Sequence, residues 1–374
     1  MGKRVKILSY FLFLLLAFTA FANDWEFQSR GEHIIPIEIS EVSIKKEVIR
    51  MKITDDGMIV NVSFVFNSPE AKKKIIGFIT PEGGFDEEYD NYNWDGEMHF
   101  KDFATVVNGK TVKSNVEKMS AFYKKNPLSK EEIKKYNVKK YKDSYIYFFE
   151  ANLKKGENIV EHSYHYSGSG GVGRVDYEYV WTTISKWKNK KVDDFELIIE
   201  PGNRFIALPY SFWKNNKKID WELVGEGKMD YIKANYTKLK EKISEIVYAR
   251  LKNGYIRYKT VNFSPDEEFR MKEIKNFRFH YYGEVDKTSK GYKIADKYSF
   301  MDSEEDMKKL TDKELEIVRN YPYAEAGYDF SKKEIKDYFS QFIWYYPISK
   351  EVKIDDFMKM RENADKVLKE RGKK

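Results

Sequence analysis

The chain has 374 residues, enough for about two domains, and its 41% hydrophobic and 16% aromatic content excludes a disordered chain. It contains no cysteine, which excludes a disulfide scaffold, a thiolate zinc site and a cysteine nucleophile. The formal net charge of +7 is small for this length, and three of the excess positive charges lie in the first 22 residues, so the composition does not indicate nucleic-acid binding.

Residues 1–22 have the pattern of a secretory signal peptide. Three basic residues precede an apolar run from Ile7 to Phe18, and Ala20-Phe21-Ala22 forms a small-x-small cleavage site. The run is shorter than the roughly 20 residues that span a bilayer. We therefore predict an exported protein, periplasmic or extracellular, that starts at Asn23 and has no transmembrane segment after cleavage; an uncleaved anchor is the alternative.

From Ile35 to about Glu200, apolar and polar residues mostly alternate, which is typical of strands. Asp55-Asp56-Gly57 and Asn108-Gly109 fit hairpin turns between such runs. A capping box at Ser129-Lys-Glu-Glu132 predicts one helix, to about Lys140. Many short strands with regular turns indicate an antiparallel sandwich.

The stretch from Arg204 to Tyr298 has a less regular pattern. Tyr255–Phe263 is typical of a strand, whereas the run that begins at Ile232 fits either a strand or a helix. Ser264-Pro-Asp-Glu267 fits both a helix start and a strand-ending turn. The sequence leaves these alternatives open.

From Ser303 the apolar period becomes helical. Thr311-Asp-Lys-Glu314 and Ser331-Lys-Lys-Glu334 are two capping boxes, and Asp355-Asp356 opens a third predicted helix. The apolar face of that helix consists of Phe357, Met360, Ala364, Val367 and Leu368.

These elements predict an α+β chain. Its parts are a signal peptide at 1–22, an antiparallel, β-sandwich-like region at 23–300 with a candidate boundary near 200–215, and a small helical domain at 303–371.

Two short patterns suggest chemistry that their context does not support. Gly168-Ser-Gly170-Gly-Val-Gly173 matches the dinucleotide-binding glycine motif, but a strand-like run follows it where that motif needs a helix. We interpret it as a flexible connection between two strands. His162 and His165 lie three residues apart on a predicted strand, so they face opposite sides and do not form a local metal site.

A candidate calcium loop lies between two predicted strands. Asn91, Asn93, Asp95 and Asp102 follow the order of oxygen ligands in such a loop, with Gly96 at the turn. The first position is Asn rather than Asp, the last is Asp rather than Glu, and no convincing helix flanks the loop. A solvated surface loop is the alternative interpretation.

The predicted helical region carries a recognisable set of motifs between Leu310 and Pro347. It contains Arg319-Asn320, Tyr323-Ala-Glu-Ala-Gly327 and Trp344-Tyr-Tyr-Pro347. The set resembles the YARHG domain, a small helical module of exported bacterial proteins. Glu325 and Ala326 replace the Arg and His of the name-giving stretch.

This resemblance implies a binding role, with cell-wall binding supposed for some members, and no established enzymatic activity. The candidate binding residues that it supplies are Arg319, Tyr323, Glu325, Gly327, Trp344 and Tyr345. Structural roles are the alternative: a positive φ at Gly327, core packing of the aromatic residues, and a buried pairing of Arg319 with a C-terminal acid.

Residues from 23 to about 270 are similar to an exported bacterial family of unknown function. The similarity is diffuse and includes Asn23-Asp24, Phe78-Ile-Thr-Pro81, Trp181-Thr-Thr-Ile-Ser-Lys-Trp187 and Asn262-Phe-Ser-Pro265. It implies a β architecture and export, and it supplies no catalytic residue.

Two functional hypotheses follow. The favoured one is a non-catalytic envelope protein, without a cofactor, that binds a cell-wall glycan or another envelope protein. The alternative is an envelope hydrolase with two carboxyl groups about 5–10 Å apart, one of them with a raised pKa. A calcium-stabilised adhesin is a third, weaker hypothesis.

Overall fold

The structure, a computed structural model, describes residues 31–32, 35–36, 41–80, 100–125, 127, 145–171, 173–233, 245–275, 297–299, 301–356 and 359–373. The predicted signal peptide and the predicted helix at 129–140 lie outside these residues. So does the candidate calcium loop, except for Asp102.

The described strands form two sheets. In chain order they are β1 Gly31–Glu32, β2 Ile35–Pro36, β3 Ser43–Thr54, β4 Gly57–Ser68, β5 Lys72–Thr80, β6 Lys101–Val107, β7 Lys110–Val112, β8 Asn115–Lys118, β9 Tyr145–Leu153, β10 Gly156–Tyr166, β11 Ser169–Gly171, β12 Arg174–Val180, β13 Val192–Glu200, β14 Phe205–Pro209, β15 Glu222–Lys233, β16 Glu245–Phe263 and β17 Phe269–Ile274.

The larger sheet has the strand order β1-β12-β17-β14-β16-β13-β3-β4-β10-β6-β7, with β11 beside β12 and β15 beside β16. The smaller sheet has the order β2-β5-β9-β8. Most pairs are antiparallel, as predicted, but β3 pairs with β13 and β1 with β12 in parallel. Hairpin turns dictate antiparallel neighbours only for strands that follow each other, and each of these two pairs is separated by a long stretch of chain.

One core lies between the two sheets. Alternate residues of β4, such as Phe64 and Phe66, are fully buried, as the period of two requires. Tyr147 of the smaller sheet packs against Phe100, with ring centroids 5.3 Å apart, and Phe149 belongs to the same core. The two sheets therefore enclose a shared apolar layer, which gives the sandwich-like arrangement.

The described helices cluster mainly in the C-terminal region. They are α1 Met119–Lys125, a 3-10 helix at Thr182–Lys186, α2 Glu304–Lys308, α3 Asp312–Arg319, α4 Tyr321–Glu325, α5 Lys333–Ser340 and α6 Met360–Glu370. The predicted α+β class is confirmed. We call α2 to α6 with their connections, residues 301–373, the helical module.

The two capping boxes predicted in the C-terminal helical region have different outcomes. Thr311 caps α3 as predicted: its Oγ1 accepts from the Glu314 N–H at 3.3 Å, and the Glu314 carboxylate accepts from the Thr311 N–H at 2.9 Å. The prediction at Ser331 is wrong. Lys332 precedes α5 without a side-chain cap, and the Ser331 hydroxyl accepts a hydrogen bond from Lys350 instead.

The third predicted helix begins later than expected. It starts at Met360 rather than near Asp355, because Lys359 adopts a positive φ of 54°. The Asp356 carboxylate accepts from the Arg361 N–H at 3.0 Å. The predicted apolar face is confirmed for Met360, Ala364, Val367 and Leu368, all of which are buried.

The local signals in the strand region have several outcomes, and the run that begins at Ile232 lies outside the described residues after Lys233, where β15 ends. Asn108 and Gly109 both have a positive φ, which suits the predicted hairpin turn. Ser264–Glu267 forms a strand-ending turn between β16 and β17 rather than a helix. The glycine motif is followed by a strand, as predicted, but it is not only a connection, because its residues Ser169–Gly171 form β11, which pairs with β12.

Candidate functional site

The candidate residues of the helical module lie in several different environments. The Arg319 guanidinium pairs with the Asp365 carboxylate at 3.1 Å, with exposed side-chain fractions of 35% and 39%. The partner is a C-terminal acid, but the pair lies at the surface, and the expected burial is wrong. Gly327 has a φ of 81°, as expected after a helix, and a Cβ there would lie 2.6 Å from Ile348.

The aromatic candidates belong mainly to the core of the helical module. Trp344 is 2% exposed and Tyr345 is 1% exposed. The Tyr345 hydroxyl donates to the Tyr328 carbonyl at 2.9 Å, and burial raises the pKa of Tyr345 to about 12. Tyr323 is half-buried, with its ring 5.9 Å from the ring of Tyr328. Trp344 and Tyr345 therefore present little surface to a ligand.

Glu325 lies beside a buried cation that the sequence analysis did not select. Arg250 on β16 is 4% exposed and donates to the carbonyls of Glu325 at 2.7 Å and Trp344 at 2.8 Å. Burial lowers the pKa of Arg250 to about 10, and the negative charge of Glu325 opposes this effect. The negative charge of the Glu325 carboxylate therefore stabilises the charged form of the Arg250 guanidinium.

A second, partly buried cation of the sheet also donates hydrogen bonds to backbone carbonyls of the helical module. Lys228 on β15 is the direct cross-strand partner of Arg250. Its ammonium donates to the carbonyls of Ser340 and Phe342, both at 3.1 Å, and burial lowers its pKa to about 8. These carbonyls lie at the C-terminal end of α5, where backbone acceptors lack helical partners and the helix dipole favours a cation. The sheet thus fixes the helical module through two adjacent cations.

The segments that carried the N-terminal similarity meet in a packed junction. The Glu268 carboxylate accepts from the backbone N–H groups of Trp181 and Thr182, and the Trp181 indole N–H donates to the Glu267 carbonyl at 2.7 Å. The ring of Phe263 lies 5.1 Å from that of Trp181. These contacts give the matched segments a structural role.

The larger sheet also has a face directed away from the core, which we call the outer face. A groove of about 320 Å³ lies on it across β3, β4, β10 and β6. Two rows of cross-strand neighbours line this groove. They are Arg50, Asn61, Ser163 and Ala104 in the first row and Val48, Ser63, Glu161 and Val106 in the second. We call this the outer-face groove.

Small side chains create the groove, and larger apolar ones flank it. The groove is lined by short side chains, which leave a depression in the outer face: Ser63, Ser163 and Ala104. Ile59 and Ile159, two residues along β4 and β10 from the lining positions, are 36% and 49% exposed. Sequence reasoning missed this site because no local motif marks it, and only the strand register brings its residues together.

The polar groups of the outer-face groove are available for binding. Within the described residues, the side chains of Asn61, Ser63, Glu161 and Ser163 make no hydrogen bond or ion pair with the protein. Arg50 makes one hydrogen bond, to Glu200, and a guanidinium has five donors. The groove therefore offers two hydroxyls, an amide, a carboxylate and part of a guanidinium.

The candidate metal ligands do not form a cluster in the described part of the chain. Asp102 is exposed with a φ of 55°, and the other calcium-loop positions lie outside the described residues. His162 is buried, whereas His165 faces outward with its Nε2 3.5 Å from Asp56, so the predicted opposite faces are confirmed. No group of three or more His, Asp or Glu side chains among the described residues is placed to hold a metal ion.

Comparison with known proteins identifies the helical module. Residues 291–371 match the model of the YARHG domain, which confirms the resemblance seen in the sequence. The class defined by the fold is thus an α+β protein with a large, mainly antiparallel β region and a C-terminal YARHG domain. No curated protein matches the chain significantly.

Two solved structures from Legionella pneumophila align with the chain. A crystal structure of a candidate nutrient-binding protein matches 93% of this chain and 98% of its own, with 18% identity and a TM-score of 0.55, which shows a shared fold. A crystal structure of aminopeptidase A in complex with aspartic acid matches 64% of this chain and 22% of its own, with 8% identity and a TM-score of 0.26. No helix within the described residues is long and apolar enough to cross a membrane.

Proposed function

We propose that the protein is a non-catalytic, exported binding protein whose ligand occupies the outer-face groove. The observation that carries this proposal is the set of four polar side chains in the groove that have no partner among the described residues. Two findings support it: YARHG domains are typical of exported proteins, and the Legionella protein of similar fold is described as a nutrient-binding candidate.

The carboxyl pKa shifts found in the described residues give no support to the hydrolase alternative. A glycosidase-type mechanism needs one acid whose pKa is raised. Where a carboxyl pKa departs from its ordinary value in the described residues, it is lowered by hydrogen bonds to neighbouring side chains, as in Glu304 and Glu314, where it falls to about 2. No observation of this kind supports the hydrolase alternative.

The proposed ligand is a component of the cell wall. An exported protein without a described membrane-spanning helix meets wall polymers and envelope proteins. At about 320 Å³ the outer-face groove is at the low end of the range for small-molecule sites, so it suits a short segment of a polymer better than the broad surface of a folded partner.

Co-sedimentation of the purified protein with peptidoglycan sacculi tests this proposal. We expect binding that persists at moderate salt and that releases no soluble wall fragment. Ser63→Trp fills the groove and should abolish binding. Asn67→Trp, on the same face at the end of the same strand, is the matched control and should bind like the original protein.

The proposal would be overturned by three results. One is the absence of co-sedimentation, which would favour a protein partner. Another is the release of wall fragments, which would indicate catalysis. The third is unchanged binding by a folded Ser63→Trp variant. Salt-dependent binding that is equal in the original protein and in Ser63→Trp is one form of this third result, and it would indicate only the small positive charge, since salt screens exposed charges.

A further inference from the structure

The outer-face groove has charged groups of opposite sign at two separate places. Glu161 on β10 has no ion-pair partner among the described residues, and Arg50 on β3 has donors that its bond to Glu200 does not use. β4 separates these strands, with Asn61 and Ser63 between the two charges. A ligand in the groove therefore meets an anion on one side and a cation on the other.

The strand geometry sets the distance between these charges. Neighbouring strands lie about 4.8 Å apart and rise about 3.4 Å per residue, so the Cα atoms of Arg50 and Glu161 lie about 12 Å apart. An extended tripeptide separates its terminal ammonium and carboxylate by about 9 Å. The distance between the two Cα atoms exceeds the length of the tripeptide by about 3 Å, which leaves room for the side chains of Arg50 and Glu161 to contact its two ends.

The lining between the charges suits a peptide backbone better than a sugar ring. Asn61, Ser63 and Ser163 supply both donors and acceptors for amide groups. Ile59 and Ile159 border the groove and offer apolar contact to small side chains. No Trp, Tyr or Phe is among the described residues that line the groove, whereas amphipathic aromatic rings are the usual platform for a sugar face.

We propose that the outer-face groove binds a short zwitterionic peptide, with the ammonium group at Glu161 and the carboxylate at Arg50. This inference rests on the proposed binding function and specifies its ligand as the peptide rather than the glycan part of a wall polymer. Each end would make a charge-assisted hydrogen bond, which is about twice as strong as a neutral one.

Calorimetric titration of the purified protein with three peptides tests the inference. The probes are trialanine, N-acetyl-trialanine and trialanine amide. We expect trialanine to bind, and we expect removal of either terminal charge to weaken binding about tenfold or more. Glu161→Gln should abolish the difference between free and acetylated peptide, and Arg50→Gln should abolish the difference between acid and amide.

Glu157→Gln is the matched control, because Glu157 is exposed on the same face of the same strand, four residues from Glu161. This variant should keep the peptide preferences of the original protein. The inference would be overturned if Glu157→Gln and Glu161→Gln changed peptide affinity equally. That result would show that peptide binding depends on the overall charge of the face and not on Glu161.

The same titration separates this inference from the proposed function. If no peptide binds but Ser63→Trp still abolishes binding to sacculi, the peptide assignment is wrong and the binding function stands. If peptides bind while sacculi do not, the peptide assignment stands and the wall assignment is wrong. If neither binds, both are wrong.

Discussion

Arg250 shows how one side chain joins two regions of the molecule. Its guanidinium donates to carbonyls of Asn203, Glu325 and Trp344, which lie in the β region and in the helical module. A buried cation is costly unless its donors are used, and here three backbone acceptors compensate for lost hydration. These hydrogen bonds also satisfy the three carbonyl oxygens, because a buried carbonyl without a donor lowers the stability of the fold.

We expect Arg250→Met to lower the free energy of unfolding by about 3–5 kcal/mol, because it leaves buried carbonyls without donors. Arg257→Met is the control on the same strand. Arg257 pairs with Glu222 at 2.8 Å in a partly exposed position, and such a pair contributes about 0–1 kcal/mol. Urea unfolding monitored by circular dichroism measures both values. Similar losses in the two variants would contradict the role assigned to Arg250.

At the level of single elements, Thr311 and Ser331 provide a matched test of helix capping. Thr311→Ala removes the acceptor for the Glu314 N–H and should cost about 1 kcal/mol. Ser331→Ala should cost less than about 0.5 kcal/mol, because Ser331 does not cap α5 and its hydroxyl meets only the exposed Lys350. Chemical denaturation distinguishes the two, and a larger loss for Ser331→Ala would contradict the observed caps.

Local signals explain which elements the sequence predicts correctly. The box at Thr311 needs only residues within one helical turn, and the turn at Asn108-Gly109 needs only two residues that tolerate a positive φ. Ser331 fails as a cap because α5 begins one residue later than the motif requires, with Lys332 at the N-cap position, and the Ser331 hydroxyl accepts from Lys350, which is distant in sequence. Neither the exact start of the helix nor a long-range contact of this kind can be inferred from spacing.

The candidate site depends even more on long-range pairing. The outer-face groove combines residues from β3, β4, β6 and β10, and a shift of one residue in any strand would turn its lining toward the core. The motif-based candidates Trp344 and Tyr345 lie in the core instead. A motif therefore indicates the helical module but not which of its side chains face solvent.

At the scale of the whole molecule, the helical module and the larger sheet share one apolar cluster. Phe205, Tyr248 and Ile274 of the sheet belong to the same buried cluster as Leu315 and Phe339 of the module. The module thus covers a sheet face that would otherwise be exposed. Exposed apolar surface of that extent is unfavourable in water, so the two parts stabilise each other.

This shared cluster predicts that the sheet and the module unfold together. Ile274→Ala on the sheet and Leu315→Ala in the module should each cost about 2–5 kcal/mol and shift the midpoint of the same single transition. Calorimetry tests this, because a single cooperative transition gives equal calorimetric and van't Hoff enthalpies. A second transition in the Leu315→Ala variant, with the first one unmoved, would show that the module unfolds independently and that its contact with the sheet contributes little.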